Sequence, residues 1–262
     1  MSVLFNNIKL SVRVLTRSKL YTVINLSGLV MGLTISFILL IFAINELSYN
    51  DCFPESRRIY RVITKDISGN HIVQSPFMLK AALENNIPCI GKSGRLFNFK
   101  YAFGDVSGLM AGTWRNLPEF FCMDPEMAGI LHIKINRGSL TWLAKGHSYV
   151  MISKRAAQKY FPGKGPVGKT MRIRISGQDF SMIISAVFDN LPWNSTIQAD
   201  YIAGPGFFRE IYHQFLPGQE SELLSVNDYS AQTFILIKKN STIEDVQAMV
   251  PGLQKKLHFP GN

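Results

Sequence analysis

KLYTVINLSGLVMGLTISFILLIFAINE, residues 19–46, holds twenty-six consecutive uncharged residues between its charged ends. A helix rises about 1.5 Å per residue and the hydrocarbon core of a bilayer is about 30 Å thick, so about twenty apolar residues cross it. Residues 20–44 exceed that length, and the Thr, Ser and Asn among them can bond back to the helix or to a neighbour. The run therefore predicts a transmembrane helix over 20–45. A cleaved signal peptide has an apolar region of about 7 to 15 residues followed by a small-x-small cleavage site. This run is longer, and Ile44, Asn45 and Glu46 make a poor exit site, so it reads as an uncleaved signal anchor.

The flanks give the orientation. Lys9, Arg13, Arg17 and Lys19 precede the helix with no acid among them, whereas Glu46, Asp51 and Glu55 offset Arg57, Arg58 and Arg61 after it. Basic flanks stay in the cytoplasm, so those first four cations set the topology, with the N-terminus inside and the bulk of the chain extracytoplasmic. Leu4, Phe5, Ile8, Val12 and Leu15 recur at helical spacing away from Lys9, Arg13 and Arg17. That is the pattern of a short amphipathic helix on the lipid of the inner leaflet. Within the span, Gly28 and Gly32 form G-x-x-x-G, with Ser36 four residues on, a stripe that lets another helix pack closely. The expected organisation is a basic cytoplasmic segment at 1–19, a membrane helix at 20–45 and an extracytoplasmic domain at 46–262.

Net charge is +10, but four of the positive charges are the topogenic cluster, so nucleic acid is not implied as a partner. The distribution is uneven: residues 127–178 carry ten Lys or Arg and no acid, and 179–237 carry seven acids against Arg209 alone. Such blocks either pair with each other or face anionic headgroups or an acidic partner. Cys52, Cys89 and Cys122 cannot close a disulfide framework, although Cys89 with Cys122 is a pairing open to them in an oxidising compartment. His71, His132, His147, His213 and His258 are scattered without i, i+4 spacing, so no metal or other cofactor is expected.

Beyond the membrane the pattern is mixed. Strands are predicted at 58–64 (RIYRVIT), 149–152, 171–175 (MRIRI), 181–188 (SMIISAVF) and 231–237 (AQTFILI), and helices at 75–84, capped by Ser75, and at 154–160. Ser241 with Glu244 reads as a capping box for a last helix that Pro251 interrupts. The class is α+β.

Gly163, Gly168, Lys169 and Thr170 satisfy the phosphate-loop spacing G-x-x-x-x-G-K-T. That loop works only after a strand and before a helix, whose first amides hold the phosphates. Here the predicted helix precedes it and the strand follows, and Pro166 removes a donor, so the match reads as a turn. Neither G-x-S-x-G nor H-E-x-x-H is present, and no catalytic residues are assigned. Asn194-Ser-Thr and Asn240-Ser-Thr would matter only in a glycosylating host.

The opening at 6–62, NNIKLSVRVLTRSKLYTVINLSGLVMGLTISFILLIFAINELSYNDCFPESRRIYRV, resembles the start of the MacB/FtsX-type ABC transporter permeases, in the form found in Bacteroidota. The blocks at 149–173 (YVMISKRAAQKYFPGKGPVGKTMRI), 180–202 (FSMIISAVFDNLPWNSTIQADYI) and 231–257 (AQTFILIKKNSTIEDVQAMVPGLQKKL) resemble that family's periplasmic core domain. The resemblance implies a two-lobed α+β domain anchored by one N-terminal membrane helix, with one part built from both ends of the segment. It also implies a non-enzymatic permease half in the inner membrane, driven by a separate cytoplasmic ABC ATPase and working as a homodimer or with a complementary membrane-helix subunit. Family cargoes include macrolides, peptides and lipoproteins. The family's three later membrane helices have no counterpart before Asn262, which makes this chain read either as a truncated or split copy or as a single-pass accessory protein. A membrane-anchored sensor or ligand-binding module is the alternative.

Overall fold

The computed structural model describes residues 2–65, 68–99, 103–110, 112–141, 143, 146, 148–163, 165–218, 225 and 229–257. They fall into two compact units, one ending at Tyr49 and one beginning at Asn50.

The first unit is helical. Helix α1 (Ser2–Arg17) carries the basic residues, and α2 (Lys19–Leu47) carries the apolar run. Between them Ser18 turns its hydroxyl back to the Val14 carbonyl at 3.1 Å, and Thr22 reaches across the break to the Leu15 carbonyl at 2.8 Å. No residue of α2 is buried, and its mean hydropathy reaches 2.4. Its 29 residues extend about 44 Å, enough to cross the hydrocarbon core and enter both headgroup layers.

The second unit is built on one mixed eleven-stranded sheet. Its strands are β1 (Ile59–Arg61), β4 (Ile90–Asn98), β5 (Val106–Met110), β6 (Thr113–Asn116), β7 (Phe120–Met123), β8 (Ile135–Gly138), β9 (Tyr149–Ser153), β10 (Thr170–Ile175), β11 (Gln178–Phe188), β12 (Tyr201–Ala203) and β13 (Gln232–Ile237). Their order is β1-β13-β4-β7-β12-β9-β11-β10-β5-β6, with β8 added to β11. The β9·β11 and β7·β12 pairs are parallel and the others antiparallel. A small hairpin, β2 (Thr64–Lys65) with β3 (His71–Ile72), stands apart.

Both ends of the outer segment meet at one edge, as the resemblance implied. Ile59 lies opposite Leu236, and helices α3 (Leu79–Asn86) and α7 (Ile243–Leu257) share a core with Ile90, Ile235 and Ile237. The rest of the sheet holds two further cores. Helix α6 (Pro205–Phe215) supplies Phe207, Phe208 and Ile211 to an aromatic group with Phe97, Phe99 and Phe120. Helix α4 (Pro125–Ile130) places Met127 and Ala128 against Leu96, Met123 and Phe188. At Gly94 a Cβ would lie 2.7 Å from Met127 Cα, so only glycine lets α4 come this close.

Four local expectations are corrected. Residues 58–64 do not form one strand: the ladder with β13 ends at Arg61, one further bond joins the Val62 N–H to the Thr233 carbonyl at 2.9 Å, and Thr64 opens the hairpin. Ser75 does not cap a helix, because α3 begins only at Leu79, with Met78 in the cap position. It forms a bridge with Ala231, and its hydroxyl meets that of Thr233 at 2.7 Å. The last helix is capped one residue later, by Thr242 and Asp245, with reciprocal bonds of 2.8 and 3.3 Å. It also continues through Pro251, because Gln247, whose carbonyl loses its donor, is exposed to water.

Candidate functional site

In α2, Gly28, Gly32 and Ser36 form one exposed stripe, and a Cβ on either glycine would meet nothing within 4 Å. Ser36 donates to the Gly32 carbonyl at 2.8 Å and Thr34 to the Val30 carbonyl at 2.7 Å, so these hydroxyls are satisfied inside their own helix. Lys9, Arg13 and Arg17 lie exposed on α1, and Lys19 opens α2.

The segment that opens the outer unit is fastened at four points. Asn50 has φ +63°, a left-handed conformation that Asn tolerates better than most residues. Its N–H donates to the Asn194 carbonyl at 2.7 Å, and its side-chain oxygen accepts from the Thr196 N–H at 2.9 Å and the Thr196 hydroxyl at 3.1 Å. Phe53 is buried in the core with Met123 and Phe188. Glu55 pairs with Arg58 and approaches His132 at 3.7 Å. Arg58 donates to the Ile237 carbonyl, at the end of β13, at 2.7 Å. Sequence reading singled out none of these anchoring roles, since each depends on a partner far away in the chain.

The phosphate-loop match is a turn. Helix α5 (Lys154–Tyr160) precedes it and β10 follows. The Gly168 N–H is already given to the Ile184 carbonyl at 2.8 Å and the Lys169 N–H to the Pro166 carbonyl at 3.0 Å, while the Lys169 ammonium sits 5.6 Å from the Phe161 ring centre. Gly163 and Gly168 have φ of +70° and +85°, which explains the glycines without a nucleotide.

The opposite charge blocks partly pair with each other. Arg155, on α5, reaches Asp200 at 3.0 Å and Glu119 at 2.6 Å, and Arg174 pairs with Asp179 at 2.5 Å. Partial burial raises the pKa of Glu119, Asp200 raises it further, and Arg155 only partly counters this. The three cysteines are free thiols. Cys122 is buried and donates to the Gly204 carbonyl, and burial pushes its pKa well up. Among the described residues no group of three or more His, Cys, Asp or Glu is placed to hold a metal.

A long exposed apolar helix, an outer mixed sheet closed by both of its chain ends, and a firmly fastened entry segment are thus in place. The profile of the MacB-like periplasmic core domain matches residues 22–253. The chain belongs to that family. No curated protein matches it. Among solved structures it is similar to a domain assigned to a permease of Porphyromonas gingivalis, with 19% identity, TM-score 0.61, and coverage of 78% of this chain and 86% of that one. It is also similar to the periplasmic region of MacB from Actinobacillus actinomycetemcomitans, with 11% identity, TM-score 0.52, and coverage of 76% and 83%. These likenesses agree on the fold. As a MacB-like periplasmic core domain, the outer unit is a membrane-anchored, extracytoplasmic module associated with ABC transporters.

Proposed function

We propose that this chain supplies the first membrane helix and the extracytoplasmic core of an ABC permease half. A separate cytoplasmic ATPase drives it, and the entry segment passes motion of the helix into the outer sheet. The reading rests on one observation: Asn50, three residues after α2 ends, is already tied to Asn194 and Thr196 in the loop between β11 and β12. The four cations at Lys9, Arg13, Arg17 and Lys19 hold the N-terminus on the cytoplasmic side, within reach of the ATPase. The Gly28, Gly32 and Ser36 stripe is the face for a second copy or a complementary membrane subunit.

Purification of the tagged full chain from native membranes with ATP and vanadate is expected to recover an ABC ATPase, identified by mass spectrometry. A well-folded chain that brings down neither an ATPase nor another membrane subunit would overturn the transporter reading.

A further inference from the structure

Strand β9 ends at Ser153, whose hydroxyl accepts from the Ala156 N–H at 3.0 Å and so caps the start of α5. Lys154, Ala157, Gln158 and Phe161 then follow at i, i+3, i+4 and i+7, which puts them on one side of that stretch of chain. Ala157 and Phe161 pack into the core that holds Ile152 and Val187. On the same sheet β8 runs antiparallel to β11 with Arg137 opposite Val187, so both side chains stand on one face. Only glycine at 138 allows that approach, since a Cβ there would lie 2.1 Å from the Ser185 carbonyl oxygen. The turn after α5 returns past Arg137, whose Nη1 lies 3.9 Å from where a Cβ of Gly165 would stand, and buries Pro166. These pieces frame an open cleft of about 750 Å³, within the range of about 300–1,000 Å³ usual for small-molecule sites.

Floor and walls differ in chemistry. Ala157, Pro166 and Val187 are buried and Phe161 is half-buried, which makes the floor apolar. Arg137 and Lys154 stand exposed on two different walls, and no described lining residue is acidic. The Lys169 ammonium, 5.6 Å from the Phe161 ring centre, adds a third positive charge beside the cleft. Arg155 and Arg174, from the same basic stretch, are taken up by acids, whereas these three cations form no ion pair among the described residues. Asp189, the acid that follows β11, is engaged by the Asn136 amide instead. A charge beside an apolar wall is screened less than one on open surface, so such a cleft draws anions. The planar fork of Arg137 suits a carboxylate or phosphate in particular. A nucleoside triphosphate, polar along its length, does not match the floor.

We infer that this cleft binds a small amphipathic anion: one carboxylate or phosphate group held by Arg137 and Lys154, on an apolar body that lies against Phe161, Pro166 and Val187. The site lies wholly within the outer unit, so it holds whether or not an ATPase drives the chain. The test is equilibrium dialysis of labelled octanoate against the full chain in phosphatidylcholine nanodiscs, with uptake by empty nanodiscs subtracted. Saturable binding of a single octanoate per chain is expected. Octanamide, which keeps the tail and loses the charge, and inorganic phosphate, which keeps a charge and loses the tail, are each expected to bind roughly tenfold more weakly or less. Arg137→Gln and Lys154→Gln should each weaken octanoate about fivefold, with circular dichroism unchanged because both side chains are exposed. Arg172→Gln, in the same basic stretch but outside the cleft, should leave binding as it is. Uptake no greater than that of empty nanodiscs overturns the site. Octanamide or phosphate bound as tightly as octanoate overturns the amphipathic-anion class, and octanoate binding that the Arg137 and Lys154 variants leave unchanged overturns its placement in this cleft.

Discussion

Arg95 and Asp124 meet in two parallel hydrogen bonds, Nε to Oδ2 at 2.8 Å and Nη2 to Oδ1 at 2.9 Å, with Asp124 only 2% exposed. The Arg95 N–H adds a third bond to the same carboxylate at 3.0 Å, its Nη1 donates to the Phe77 carbonyl at 2.9 Å, and the guanidinium lies 3.8 Å from the Phe77 ring centre. The pair joins β4 to the start of α4. Removing the carboxylate strands a buried cation, so Asp124→Ala is expected to cost about 3–5 kcal/mol in urea unfolding of the full chain in detergent. Lys80 reaches the same carboxylate only at 3.5 Å and bonds instead to Glu126 at 2.8 Å, so its loss leaves Asp124 held by Arg95. Its replacement by Ala is expected to cost under about 1 kcal/mol. Equal losses in the two variants would contradict this assignment.

At Asn50 the hydrogen bonds and the backbone conformation contribute separately. Asn50→Gly keeps the left-handed conformation easily but loses the side-chain acceptor for Thr196, a cost of about 1 kcal/mol. Asn50→Ala loses the acceptor and adds strain of about 1 kcal/mol at φ +63°. The expected order of urea midpoints is wild type, then Gly, then Ala. If neither variant shifts the midpoint, the joint is not fastened as described, and the proposed route of motion fails with it.

What the sequence disclosed follows physical lines. The span at 20–45 was legible as one unbroken uncharged run, the strand at 171–175 by its alternation, and the strands at 181–188 and 231–237 as short apolar runs. Residues 85–148 gave no elements, yet they hold β4 to β8 and α4. Strand β4, IGKSGRLFN, carries two glycines and two cations, so it does not look like a strand. Gly94 is there for Met127, and Arg95 for Asp124, both distant in sequence. Strand β7 has four residues and α4 six, too short for either to show a period. The entry joint was invisible for the same reason, since Asn50, Asn194 and Thr196 acquire meaning only as partners.

Lys169→Ala is expected to leave binding of a fluorescent ATP analogue to the purified chain unchanged and negligible. The amides of Gly168 and Lys169 are already bonded to protein carbonyls, so these two donors are not free for phosphate. Measurable binding that the substitution abolishes would restore the phosphate-loop reading.

Glu119 gives a pH dependence of definite sign. Burial, and after it the Asp200 carboxylate, raise its pKa above the usual Glu value of 4.5, so the folded state holds this proton more tightly than the unfolded chain does. The stability from that proton is fully present below the unfolded value and is lost as pH rises through the folded one. Glu119→Gln lacks this term. Its unfolding free energy relative to wild type should therefore climb as pH rises from about 4 to neutrality. A flat or falling difference across that range would show that Arg155 outweighs burial at this site.

The stripe on α2 makes the last prediction. Gly28, Gly32 and Ser36 lie within about 80° of arc, since successive residues turn by about 100°. Nothing lies within 4 Å of the positions their Cβ atoms would occupy at the two glycines, so another helix can approach the backbone there. Without a hydrophobic force between helices in lipid, that approach is the main source of association, and large side chains on the stripe prevent it. Gly32→Leu is expected to weaken self-association of the full chain in lipid roughly fivefold for each about 1 kcal/mol of packing lost. Ile41 falls on the opposite face by the same geometry, and Ile41→Ala should leave association unchanged. Disulfide trapping completes the test: cysteine at position 28 or 32 should crosslink between copies, and cysteine at 41 should not. Trapping at 41 with none at 28 and 32 would assign the contact to the other side of the helix and dispose of the stripe.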